Sequence, residues 1–270
     1  MRALVEERRP DLLELATDAL GTDPFERLSE STANLQVAVF CASLAHLEGA
    51  AGVEPAAYAG HSLGELSALA AAGSLAAEDG VAVVAERGRL TELAAAQQPA
   101  GAMLAVGLDA EAAVELARPF GLTLANDNSP EQVVLSGDAE AVMRARAEAK
   151  SRGLKASKLP IGGAFHSSWM EPAVAPFREV LARVRFAAPR APVYSCVTAA
   201  PFGDADDTRR LLAASLTSGV RWREVLLALH ERGIRRFVEA GPGEVLTKLV
   251  PRTLPGADAR PLHALEAVGG

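Results

Sequence analysis

The sequence predicts an α/β fold: a large subdomain built on a mainly parallel sheet, with a small mixed subdomain inserted into it. Three observations carry this. Short apolar stretches alternate with helix-period stretches in the outer parts of the chain. In the middle the order changes to β-α-β-β-α-β. Pro and Gly bracket that middle on both sides, as "QQPAG" before it and "LPIGG" after it.

Taken in order, apolar residues recur at helical spacing over residues 2–19, 33–49, 63–73, 77–97, 167–184, 207–216, 220–231 and 243–250, with ends uncertain by about 2 to 4 residues. Candidate strands 55–60, 192–197 and 235–240 lie between them, each followed by a turn or a helix, which is the pattern of parallel pairing. Across 101–160 run "GAMLAVG", the helical "DAEAAVELARPF", "LTLAN", "EQVVLSG", the helical "DAEAVMRARAEAKSRG" and "LKASKLP". That is the ferredoxin-like order. The domain expectation is therefore 1–100 with 161–270 as the large part and 101–160 as the small one.

Composition excludes several classes. The 270 residues are 49% hydrophobic and 23% charged, enough for a sizeable core. No stretch reaches the ~20 uninterrupted apolar residues of a membrane span, and "MRALVEERRPDLLELA" is a charged amphipathic start without a secretory core. A cytoplasmic protein is expected. The net charge of -7 argues against nucleic-acid binding. Cys41 and Cys196 stand far apart in apolar contexts and read as buried reduced thiols. The five histidines make no H-x-x-x-H or H-E-x-x-H pattern, so no metal is expected.

"GHSLG", residues 60–64, is a G-x-S-x-G between a candidate strand and an Ala/Leu helix. Glycines at 60 and 64 permit a sharp turn that lifts the Ser62 hydroxyl above the sheet, aims a helix N-terminus at it and offers the Leu63 backbone N–H to an oxyanion. The bland alternative is a serine N-cap with glycines for close packing. A serine nucleophile requires a base. His46, His230 and His263 fall in helical or tail contexts that suit packing or surface roles, and His61 adjoins the serine and suits a pocket wall. His166 remains, in the Gly-rich "IGGAFHSSWMEP" beside the cleft between subdomains. As an alternative it caps a helix.

"GHSLGE", "AERGRL", "NDNSPEQVVLSG", "GAFHSSWMEP" and "EAGPGEVLTKL" resemble, in order and over nearly the whole chain, the motif series of the malonyl-CoA:acyl-carrier-protein transacylases. The resemblance implies an α/β-hydrolase-like large subdomain with a ferredoxin-like insertion, Ser62 as the acyl-accepting nucleophile and His166 as its base. A backbone carbonyl would orient the imidazole in place of a carboxylate, and it is expected near Gly241. Arg87 would hold the malonyl carboxylate, a task for which a planar, permanently charged fork is suited; without the resemblance it reads as a solvated helix charge. Gln36, Asn126 and Asn128 would line the site, although "NDNSP" also makes a good turn. Leu63 and Phe165, the latter in "GAFH", match malonyl-using members. No cofactor is implied beyond the coenzyme A thioester, which is substrate.

The resemblance further implies ping-pong transfer from malonyl-CoA to the pantetheine thiol of an acyl carrier protein, in fatty-acid or polyketide synthesis. Arg144, Arg146, Lys150, Arg152, Lys155 and Lys158 would dock that acidic carrier, or form a solvated face. Members of the family begin with an apolar strand and a G-Q-G-S-Q turn that gives a second oxyanion donor; neither is in this sequence, and a start assigned late is expected. If instead the segment is truly absent, one donor would be lost, at about 10² to 10³ in turnover, and an apolar slot with unpaired strand edges would be left. Two rival readings remain: a serine thioesterase or hydrolase, needing an acidic triad member, and an inactive relative that binds carrier or coenzyme A.

Overall fold

The computed structural model describes residues 1–49, 54–97 and 100–266; Gln98 and Pro99 of the first bracket lie outside them. In chain order the elements are α1 (Arg2–Arg8), α2 (Pro10–Leu20), α3 (Thr32–Glu48), β1 (Tyr58–Ala59), α4 (Gly64–Ala71), α5 (Ala77–Gln97), β2 (Gly101–Val106), α6 (Ala110–Ala117), β3 (Thr123–Ser129), β4 (Gln132–Asp138), α7 (Ala139–Ser151), β5 (Ala156–Lys158), α8 (Glu171–Ala182), β6 (Val193–Tyr194), α9 (Ala205–Ala214), α10 (Trp222–Glu231), β7 (Arg236–Glu239), α11 (Val245–Thr253), β8 (Asp258–Pro261) and α12 (Leu262–Glu266).

The fold is α/β. Among the described residues the parallel part is two separate pairs, β1 with β6 and β7 with β8, where one larger sheet was expected. The strands are also shorter than their apolar runs. Pro192, for example, lies outside β6 although its carbonyl accepts from Tyr58 N at 2.8 Å. β8 and α12 escaped the sequence reading because "DARPL" alternates too briefly to register.

The first expected helix is two. Pro10 starts α2, and its ring keeps the preceding residue out of helical geometry, so Arg9 sits at φ −141, ψ 60. Likewise Ser168–Met170 forms a 3-10 turn ahead of α8.

Residues 101–158 form one antiparallel sheet in the order β3-β4-β2-β5, with register pairs such as Leu104–Leu135 and Ala105–Ser157. Helices α6 and α7 are capped by Asp109 and Asp138, whose carboxylates accept backbone N–H groups of the first turns. Their apolar faces pack on this sheet around Leu104, Leu116, Leu135 and Val142. The opposite sheet face, with Met103, Ala125 and Val134, meets Phe165 and Leu159.

The largest core surrounds α3 and α5. Two glycines let these helices approach. A Cβ on Gly88 would lie 2.4 Å from Ala33 Cα, and one on Gly80 would lie 2.4 Å from Phe40 Cζ. This close packing brings a residue of each helix, Gln36 and Arg87, into direct contact.

Candidate active site

The turn from β1 into α4 carries Ser62 at φ +54, a left-handed conformation that costs a non-glycine residue about 1–3 kcal/mol and persists only where its surroundings enforce it. They do so here. A Cβ on Gly60 would lie 1.9 Å from the Gly64 carbonyl oxygen, so only glycine lets the strand end this close to the helix start. Gly64, Glu65 and Leu66 N–H groups bond back to His61, Ser62 and Leu63 carbonyls. Leu63 precedes the helix, half-buried against the large core.

Across the cleft, His166 also adopts a left-handed conformation, φ +57. Ser167 fixes the loop from behind: its hydroxyl donates to the Ala164 carbonyl at 2.6 Å and accepts from Trp169 N at 3.3 Å. Phe165 packs between the large core and the small sheet. The result is a 2.8 Å hydrogen bond between Ser62 Oγ and His166 Nε2.

The direction of that bond follows from the other ring nitrogen. His166 Nδ1 lies 2.9 Å from the Ser215 carbonyl oxygen and 3.2 Å from that of Ser218. Carbonyls only accept, so Nδ1 carries the proton, and Nε2 accepts from the Ser62 hydroxyl. Burial, and then the charge of Arg87, push the imidazole down to about 3, so it is neutral at physiological pH. The orienting carbonyl is thus at the C-terminal end of α9 and the loop after it, and not near Gly241 as expected. Gly241 sits in the turn after β7 instead. A backbone carbonyl has no signature in sequence, and Ser215 and Ser218 gave no reason to be singled out.

Arg87 is 7% exposed. Its Nη1 donates to Gln36 Oε1 at 2.5 Å and its Nη2 to Ser62 Oγ at 3.2 Å, so the guanidinium faces the hydroxyl. Burial lowers its pKa to about 10, which leaves it a cation at neutral pH. Among the described residues it has no carboxylate in ion-pair contact.

His61 does more than form a wall. Its Nε2 donates to Asn128 Oδ1 at 2.8 Å, and its ring tilts against Trp222 with centroids 5.7 Å apart. Asn126 and Asn128 lie in strand β3, not in a turn; the strand is bulged between Leu124 and Asn126 and between Asp127 and Ser129. Asn126 bridges to Val220, and its side-chain oxygen is buried without a partner. Between these two asparagines Asp127 pairs with Arg223 at 2.8 Å and clasps the small sheet to α10.

Sequence reasoning missed Glu65. It is 1% exposed, accepts from Cys196 N at 2.7 Å, and burial raises its carboxyl to about 7. A lone acid within "LGELSALA" was the available signal. The two cysteines are free and buried. Of the basic residues proposed to face a carrier, Arg144, Lys150, Arg152, Lys155 and Lys158 are exposed, Arg146 is half-buried, and Arg152 pairs with Glu148 at 2.7 Å. No group of three or more metal-binding side chains occurs among the described residues, and no helix among them is long and apolar enough to cross a membrane.

A strained serine bonded to a neutral, carbonyl-oriented histidine is acyl-transfer geometry. The family model for the acyl transferase domain matches residues 15–269. The chain belongs to the acyl transferase family. Within it, the chain is 37% identical to the malonyl CoA-acyl carrier protein transacylase of Synechocystis, over 93% of this chain and 87% of that protein. It is 39% identical to the polyketide biosynthesis protein ThaF of Burkholderia thailandensis over 97% of its own length, but spans only 24% of that protein. The structure of the malonyl CoA-acyl carrier protein transacylase from Coxiella burnetii superimposes with a TM-score of 0.91 at 31% identity, covering 100% of this chain and 92% of that one.

Proposed function

We infer that the chain transfers a malonyl group from malonyl-CoA to the pantetheine thiol of an acyl carrier protein. One observation carries this reading: a buried guanidinium donates to the same hydroxyl that donates to a neutral imidazole. A cation beside a nucleophile is matched to an acyl group that ends in a carboxylate.

Ser62 Oγ attacks the thioester carbon while its proton passes to His166 Nε2. The carbon–sulfur bond breaks, and the imidazolium returns the proton to the departing sulfur. Malonyl-serine remains. In the second half the carrier thiol gives its proton to Nε2, its sulfur attacks the ester carbon, and the proton goes back to Ser62 as the carbon–oxygen bond breaks. The Leu63 N–H, at the start of α4, faces the developing oxyanion. The Ser215 and Ser218 carbonyls stabilise the transient imidazolium through Nδ1–H. Arg87, held by Gln36, receives the malonyl carboxylate; His61, Asn126 and Asn128 line the approach of the pantetheine, and Leu63 and Phe165 bound the acyl pocket.

Residues 1–100 with 161–270 carry the chemistry, and the 101–160 unit presents Arg144, Arg146, Lys150, Arg152, Lys155 and Lys158 to an acidic carrier. Nothing in this scheme calls on a cofactor, and a cytoplasmic location is part of the same reading. Intact-mass measurement after mixing with malonyl-CoA tests the reading. A malonyl adduct is expected that disappears in Ser62→Ala and is discharged onto a phosphopantetheinylated carrier. Free malonate without carrier loading would overturn it in favour of hydrolysis.

A further inference from the structure

Glu65 has no part in the transfer described above, yet it is almost fully buried one helical turn from Ser62. One carboxylate oxygen takes the Cys196 N–H; the other, Oε2, is buried without a well-formed hydrogen bond, and the Ser195 hydroxyl interacts with the carboxylate and favours its charged form. The charged groups facing it are few. Arg87 on α5 is the cation whose charge draws it toward ionisation, and reciprocally Glu65 is the anion that favours the Arg87 cation. From the loop after β6 come Ser195 and the Cys196 thiol, which burial keeps protonated. In the turn and across the cleft, His61 and His166 are both held neutral by burial. On α3 the packed side chains are uncharged, Gln36 among them.

Above about pH 7 the substrate-free site thus holds one buried cation and one buried anion that do not touch. A malonyl carboxylate on Arg87 would bring a second anion to the same cation, in surroundings where an uncompensated charge is strongly disfavoured. We propose that Glu65 is the counter-charge of Arg87 in the empty site, and that it takes a proton from solvent when the substrate carboxylate settles on that guanidinium. Glu65 is then a specificity-determining residue acting through Arg87: it supports the cation while the site is empty and yields it to malonyl. The inference rests on the malonyl reading above.

The sign follows from linkage. The loaded site binds a proton more tightly than the empty one, so malonyl binding weakens as pH rises through the empty-site value of about 7 and levels off above the loaded-site value. Acetyl binding, which brings no carboxylate, is unaffected.

The test is calorimetric titration of the Ser62→Ala protein, which binds without reacting, in buffers of differing ionisation enthalpy. Malonyl-CoA is compared with acetyl-CoA so that the nucleotide phosphates cancel. At pH 8 malonyl-CoA should take up roughly half a proton or more in excess of acetyl-CoA, and at pH 6, where Glu65 is already protonated, close to none. The excess should vanish in S62A/E65Q and in S62A/R87A. The unsubstituted comparison stands by itself if E65Q folds poorly. Equal proton counts at pH 8, or an excess that survives E65Q, overturn the role of Glu65 while a Ser62 malonyl adduct still forms on the unmodified protein. Absence of that adduct overturns the function itself, and this inference with it.

Discussion

Replacing Arg87 by alanine removes the cation that, among the described residues, donates to the nucleophile. Arg87 as a residue is 7% exposed, so a malonyl carboxylate bound to it is largely desolvated, and breaking such a buried pair costs about 3–5 kcal/mol. The geometry selects the lower end. Nη1 is committed to Gln36 and Nη2 already donates to Ser62, so the substrate gains charge and shared donors but not two unused parallel bonds. About 3 kcal/mol is roughly two powers of ten in the specificity constant. Acetyl transfer loses nothing of this kind and should be spared or raised. The assay is kcat/KM for both acyl-CoA donors with a saturating carrier, in Arg87→Ala and Arg87→Lys. The lysine variant keeps charge but cannot serve Gln36 and the substrate together, so it should recover only part of the malonyl preference. Equal losses for malonyl and acetyl would refute the carboxylate role and leave Arg87 as a support of the serine alone.

Other consequences are open to direct measurement. Gly60→Ala places a methyl 1.9 Å from the Gly64 carbonyl oxygen, a backbone atom that cannot swing aside. The turn must open, and a stability loss of a few kcal/mol with loss of malonyl-serine formation is expected by chemical denaturation and mass measurement. His166 is held near 3 in the fold against an ordinary value of about 6.5, so its depressed pKa adds stability above about pH 6.5 that is lost as pH falls toward 3. Denaturation midpoints at pH 7 and pH 4 should therefore converge in His166→Gln relative to the unmodified protein; an unchanged difference would sink this assignment. Reversing Lys150 and Lys155 together to glutamate should raise the KM for the carrier at low salt several-fold without altering acylation by malonyl-CoA. Unchanged carrier kinetics would move the docking surface elsewhere.

The parts legible in sequence were the local ones. "GHSLGE" announces its turn because a strand end, two glycines and a helix start are contiguous, and the clash at Gly60 shows why that spacing cannot drift. The β-α-β-β-α-β order likewise survives in the β3-β4-β2-β5 sheet, since each element is long enough to show its period. What escaped was set by tertiary contact. The Ser215 and Ser218 carbonyls could belong to any residues, and only the docking of α9 behind His166 selects them. Glu65 looked like an ordinary helix acid until packing buried it. The apolar runs around β1 and β6 overstated the strands because burial, not pairing, accounts for part of their hydrophobicity.

The choice of a carbonyl over a carboxylate behind His166 follows from the charge already in the site. An aspartate at Nδ1 would favour imidazolium in the resting enzyme and add an anion close to the place where a substrate carboxylate must be received. Arg87 would then face two negative groups, that aspartate and Glu65, before any substrate arrived, and the substrate carboxylate would be a third. Carbonyl dipoles fix the same tautomer without net charge, and at the C-terminal end of α9 they still favour the imidazolium while it forms. Burial first, and then the opposing charge of Arg87, keep the ring neutral at rest. Neutral base and single cation therefore depend on each other. An acid placed at position 215 or 218 to reach Nδ1 should raise the pH at which the acid limb of the rate profile appears and weaken the preference for malonyl over acetyl; a variant that gained the first effect without the second would separate the two.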